Sequence, residues 1–119
     1  MLETKTGSTI SQVGIIVLVL AVAAIHFSRA AADADIRSLF ILNGLGYLGL
    51  GALLYLPQTQ NWRRAVRRFL MAYTALTAVL YILWGAMSGD WTLPLGPVNL
   101  LLELLLIGLL RQEASKRTR

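Results

Sequence analysis

The sequence has no cysteine, which removes disulfides, thiolate metal sites and dithiol redox chemistry. It has one histidine, His26, so it cannot supply both axial ligands of a bis-histidine haem or the imidazole set of a zinc site. No G-x-S-x-G nucleophile motif appears. Charge is also scarce: 14% of the 119 residues are charged, where a soluble domain carries about a quarter. That inventory argues against an enzyme, leaves no metal site to expect and brings no evident cofactor. Lipid is the expected companion, and nothing in the residues supports a pigment or quinone beyond the two features noted below.

What the chain has instead is 56% hydrophobic residues gathered into four long runs. They cover about residues 10–28, 38–56, 69–87 and 95–110. A bilayer core of about 30 Å takes roughly 20 apolar residues as a helix. The runs are too long for strands and lack the strict alternation of a membrane barrel. The fold class expected is therefore all-α, an integral membrane up-down four-helix bundle, with residues 1–119 as a single membrane domain. The first run has one nearby lysine, Lys5, and small residues at Ala30–Ala32, as a signal peptide would. Its apolar stretch is long for a signal, so a retained helix is expected. Ser8 or Thr9 is the expected cap of the first helix, and Asp33 or Asp35 of the second. Pro57 closes the second, and Pro97 is tolerable in the first turn of the fourth.

The basic residues set an orientation. Net charge is +5, and eight of the eleven Lys and Arg fall within 63–68 and 111–119. That pattern suits membrane flanks better than a nucleic-acid stripe, so no nucleic-acid partner is expected. Counting Lys5 and both clusters gives nine basic residues on one side against Arg29 and Arg37 on the other. By the positive-inside rule both termini face the cytoplasm, N-in and C-in, in the cytoplasmic (inner) membrane. Trp62 on the inner side and Trp84 and Trp91 on the outer side are placed to anchor at the interfaces. Arg63, Arg64, Arg67 and Arg68 read as a lipid-headgroup or cytoplasmic docking patch.

Gly44, Gly46 and Gly49 spell the dinucleotide fingerprint G-x-G-x-x-G. That motif needs a preceding strand and an exposed helix start, and here it lies inside an apolar span. Its glycines read as packing positions instead. At about 100° per residue, Gly44 and Gly51 share one face and Gly46 and Gly49 the opposite one. A helix with two small-residue faces is expected to be sandwiched between neighbours.

Polar residues inside the runs are where function would reside. Glu103 is the only acid expected within any span, and its burial in lipid costs at least about 2.5 kcal/mol if charged. It reads as a proton- or cation-coupling group, a polar anchor to another subunit, or a neutral acid making one interhelical hydrogen bond. Asn99 lies one turn earlier on the same face, His26 near the outer end of the first run, and Asn43 in the outer half of the second. These four form one candidate intramembrane polar site. His26 is the one conceivable pigment ligand, and it also lies close enough to the interface to be simply wetted. Tyr73, Thr77, Tyr81 and Trp84 fall on one face of the third helix, spaced as a quinone pocket or, more commonly, as ordinary packing.

The stretches "AAIHF", "LNGLGYLGLGALLYLP" and "LYILWGAMSG" resemble a family of uncharacterised four-helix membrane proteins best known from haloarchaea. That resemblance implies the four-span fold and no established activity. Where that family carries a D-K pattern in its fourth helix, this chain has Asn99 and Glu103, so no shared polar site is carried over. Two readings of function follow. One is a non-catalytic accessory or structural subunit of a larger membrane complex of respiratory or photosynthetic type, partnered by other membrane subunits or by itself. The other is a small proton- or cation-coupled oligomeric transporter using Glu103. A pigment-binding protein built on His26 is a third.

Overall fold

The computed structural model describes the backbone of residues 2–117 and the side chains of 10–115. Four helices follow in order: α1 (Leu2–Ala32), α2 (Arg37–Tyr55), α3 (Arg63–Ser88) and α4 (Leu95–Arg117), with a 3₁₀ segment at Pro57–Trp62. Among the described residues there is no strand. All four helices are long and apolar enough to cross a membrane. Consecutive helices are antiparallel neighbours and α1 also packs on α4, which closes the bundle. The particle measures 49 × 24 × 19 Å.

The helices overrun the apolar runs at most ends. α1 is already helical at Leu2, so Ser8 and Thr9 lie inside it and do not start it. α3 begins at Arg63, which puts the arginine cluster on a helix and not in a loop. α4 continues past Leu110 to Arg117. Hydropathy marks where lipid would begin, but helical hydrogen bonding carries on into polar sequence.

The ends are set by specific chemistry. α2 has no side-chain cap. Asp33 instead accepts the Asp35 N–H at 3.1 Å in a local turn, so neither aspartate caps α2 as expected. Leu56 is extended, as a residue before proline prefers, and Pro57 stops α2. Gly89 closes α3 in the left-handed region at φ 73°, its N–H donating to Gly85 O at 2.8 Å. Two arginines do matching work at opposite ends of the bundle. Arg37, opening α2, donates through Nε to Ala30 O of α1 at 2.9 Å. Arg63, opening α3, donates to Leu54 O of α2 at 2.8 Å. Each satisfies a carbonyl that the preceding helix leaves free and places positive charge at its negative end.

Buried positions recur every three or four residues, as a packed bundle requires. On α1 they include Ser11, Ile15, Val19, Val22, His26 and Ala30. On α3 they are Arg67, Leu70, Thr74, Ala78 and Gly85. On α4, Glu103, Leu106, Leu110 and Glu113 form the stripe. α2 contributes Gly44, Tyr47 and Leu54. Gly44 and Gly51 face α1, where an added Cβ would meet the Phe27 ring and the Val19 side chain at 2.9 Å. Gly46 faces Tyr73 of α3, so α2 has a neighbour on each of two sides. Nothing lies within 4 Å of a Cβ built at Gly49, so that second face has one close approach and not two. Outside these stripes the bundle presents Leu, Ile, Val, Phe and Met on every side. An exterior this apolar suits contact with lipid or another protein, not water.

Candidate functional site

The polar groups of the interior lie at three levels along the bundle. At the middle, Glu103 of α4 is fully buried and its Oε2 accepts the Tyr47 hydroxyl of α2 at 2.8 Å. Oε1 of the same carboxyl has no partner. No basic side chain pairs with Glu103 among the described residues. The Thr74 and Thr77 hydroxyls lie beside the Tyr47 phenol, each also bonded to the carbonyl four residues earlier on α3. The Tyr47 ring meets Tyr73 edge-on at 5.0 Å and tilts against His26 at 5.6 Å. Tyr73 in turn donates its hydroxyl to Asn43 O at 2.9 Å, linking α3 to α2.

Toward the end where α1 stops and α4 begins, His26, Arg29, Phe40, Tyr81, Thr92 and Asn99 help line a cavity of about 70 Å³. His26 Nδ1 lies 2.8 Å from Val22 O, so the proton on that nitrogen is donated to the helix carbonyl. Tyr81 donates to Trp91 O and stacks edge-on against the Trp91 ring. Asn99 Oδ1 and Arg29 Nε are buried and unpartnered.

At the opposite level a second carboxyl appears. Glu113 is 1% exposed and its Oε2 accepts the Tyr55 hydroxyl at 2.9 Å. Its other oxygen lies 3.6 Å from the Arg67 guanidinium, itself 4% exposed. Glu103 is therefore not the only acid within a span, because the fourth span runs from Leu95 to Ser115. Arg67 is not on the surface with the other three arginines expected to meet lipid headgroups or a docking partner: it turns into the bundle and pairs with Glu113. Arg63 is half-spent on Leu54 O, while Arg64 and Arg68 remain exposed.

The structure thus brings His26, Asn99 and Glu103 into one connected region, with Tyr47 as the residue that joins the middle to the cavity. Asn43 is half-buried and enters through its backbone carbonyl. Of the Tyr73, Thr77, Tyr81 and Trp84 stripe, Tyr73 and Tyr81 make interior contacts while Trp84 faces outward at 51% exposure. Sequence reasoning missed Tyr47, Tyr55, Arg67 and Glu113 as interior polar groups. The helical spacing of Glu103, Leu106, Leu110 and Glu113 was a usable signal for the last of these.

The interior can form hydrogen bonds and one ion pair. Among the described residues no group of three or more His, Asp or Glu is arranged to hold a metal. The cavity is about half the roughly 150 Å³ that accommodates benzene. Comparison with protein-family profiles, curated proteins and solved structures finds no match to this chain.

Proposed function

We propose that this chain is a small non-catalytic protein of the cytoplasmic membrane, inserted N-in and C-in, that serves as an accessory subunit of a larger membrane assembly. The observation that carries the reading is how the interior polar groups are used. Both Tyr–Glu links and the Arg67–Glu113 pair are directed at holding helices together. A groove of about 350 Å³ remains between α1 and α2, lined by Val19, Leu48, Gly51 and Tyr55 among other apolar residues. With an apolar exterior on all sides, it suits a lipid chain or a neighbouring helix. Gentle native purification from source membranes, followed by mass spectrometry, tests the proposal. Stoichiometric partners are expected, and a lone homo-oligomer would overturn it.

The orientation rests on nine basic residues against two. The side chains of Lys5, Lys116, Arg117 and Arg119 lie outside the described residues, and the chain has no cysteine to interfere with single-cysteine labelling. In intact cells an impermeant thiol reagent should label Asp35→Cys and spare Gln58→Cys until lysis. The reverse pattern would invert the topology.

One observation favours the transporter reading: Glu103 is a fully buried carboxyl with no cation beside it and one oxygen unpartnered. A coupling group of that kind makes Glu103→Gln abolish proton-linked flux in proteoliposomes while the protein stays folded. Flux that persists in Glu103→Gln would end that reading.

A further inference from the structure

The cavity between the ends of α1 and α4 has a charge balance unlike the rest of the bundle. Every other arginine that turns inward has a partner. Arg37 and Arg63 place Nε on carbonyls, and Arg67 meets Glu113. Arg29 lines the cavity with its Nε buried and unbonded, and it forms no ion pair among the described residues. Asp33 accepts the Asp35 N–H and Asp90 the Thr92 N–H at 3.0 Å, and neither pairs with Arg29 among the described residues. Leu95 and Gly96, the first residues of α4, also line the cavity. The Gly96 N–H is spent on Thr92 O and Pro97 has none, so the positive charge at this wall is that of Arg29.

The remaining wall offers acceptors. Asn99 reaches Glu103 with its side chain, and its Oδ1 is buried with no hydrogen bond. His26 spends its Nδ1 proton on Val22 O, so in the neutral ring Nε2 is left as an acceptor. Tyr81 donates its proton to Trp91 O and can then only accept. A bare halide would meet a cation on one side and lone pairs on the other. A ligand that satisfies both sides carries negative charge toward Arg29 and an O–H toward Asn99 or His26. At about 70 Å³ it has only a few heavy atoms.

We propose that this cavity binds a small monovalent oxyanion that carries a proton, of the hydrogencarbonate class, with Arg29 supplying the charge and Asn99 accepting the proton's hydrogen bond. The site is independent of whether the chain acts alone or within an assembly.

Line broadening of ¹³C-labelled hydrogencarbonate by the full chain, purified in zwitterionic detergent or lipid nanodiscs, tests it. Saturable broadening is expected, reversed by unlabelled hydrogencarbonate and much less by chloride or formate, which carry no donor. Arg29→Gln should weaken binding at least about tenfold, as loss of a charge-assisted hydrogen bond implies. Arg37→Gln, whose side chain is committed to Ala30 O, should leave it unchanged. If Arg29→Gln does not purify as a monodisperse helical species, Asn99→Leu carries the same test, with weaker binding expected. Broadening that does not saturate, or is equal in Arg29→Gln, overturns the proposal. Equal competition by formate removes the proton requirement and overturns the assigned class. Binding that appears only when anionic lipid is present assigns the anion to a lipid headgroup and overturns the free-ligand site.

Discussion

Two carboxyls sit in the same helix, each fully or almost fully buried and each bonded to a tyrosine of α2, yet their surroundings differ in one respect. Glu113 has Arg67 3.6 Å away, and Glu103 has no cation. The pair at Glu113 neutralises itself within the bundle, so both members are bound to stay together. The group at Glu103 has only neutral neighbours, the Tyr47 phenol and the Asn99 side chain, and no charge to balance its own. The contrast separates a polar interaction built for cohesion from one that leaves chemical capacity unspent.

The sharpest way to break that contrast is to remove the carboxylate. Glu113→Leu takes away the acid paired with the buried Arg67 guanidinium, which should cost about 3–5 kcal/mol. Unfolding in mixed micelles by titrated SDS would measure it. Adding Arg67→Met to the same chain should recover most of the loss, since an apolar pair replaces an ionic one at little cost. Next in size is Gly46→Ala, whose new methyl would collide with the Tyr73 hydroxyl and disturb its bond to Asn43 O. Overpacking of this kind costs about 1–3 kcal/mol, and the same unfolding assay reads it.

Smaller still is Tyr47→Phe, which removes the one interhelical hydrogen bond of Glu103 and leaves it the Asn99 side chain on its own helix. Such bonds average about 0.6 kcal/mol in membranes and reach about 1.7. Glu103→Gln should be smaller again, within about 1 kcal/mol, because an amide oxygen still accepts from Tyr47 and no ion pair is lost. Glu113→Gln, by contrast, should be clearly more damaging in the same assay. Equal effects of the two Gln variants would erase the distinction drawn between the carboxyls.

The four membrane-length helices could be read from hydropathy, because a helix suited to lipid must bring its own backbone hydrogen bonds and an apolar surface. Glu103 and its neighbours Asn99 and His26 were visible for the same reason, as polar residues in apolar runs. Glu113 and Arg67 were not, because each sits next to other charges that mark a span's end. Only the fold shows that the two neutralise each other inside the bundle. Tyr47 was hidden among the glycines of an apolar helix, where a tyrosine carries no periodic signal of its own, although its ring lies at the centre of the interior contacts. The capping aspartates failed as expectations because Asp33 turns onto the backbone two residues ahead, a competing local bond that composition does not reveal.

The two tyrosines stand eight residues apart on α2, and the two glutamates ten apart on α4. By helical rise that separates the links by about 12 and 15 Å along the two axes. Apolar faces in lipid gain little from one sliding position over another, since the tails outside are as apolar as the neighbours inside. Two polar pins at fixed spacing reach across the bundle and fix both the axial register and the rotation of α4 relative to α2, because a shift of one residue disengages both at once. A chain carrying Tyr47→Phe and Tyr55→Phe should thus keep its helices and lose its single packing, appearing as several slowly exchanging states.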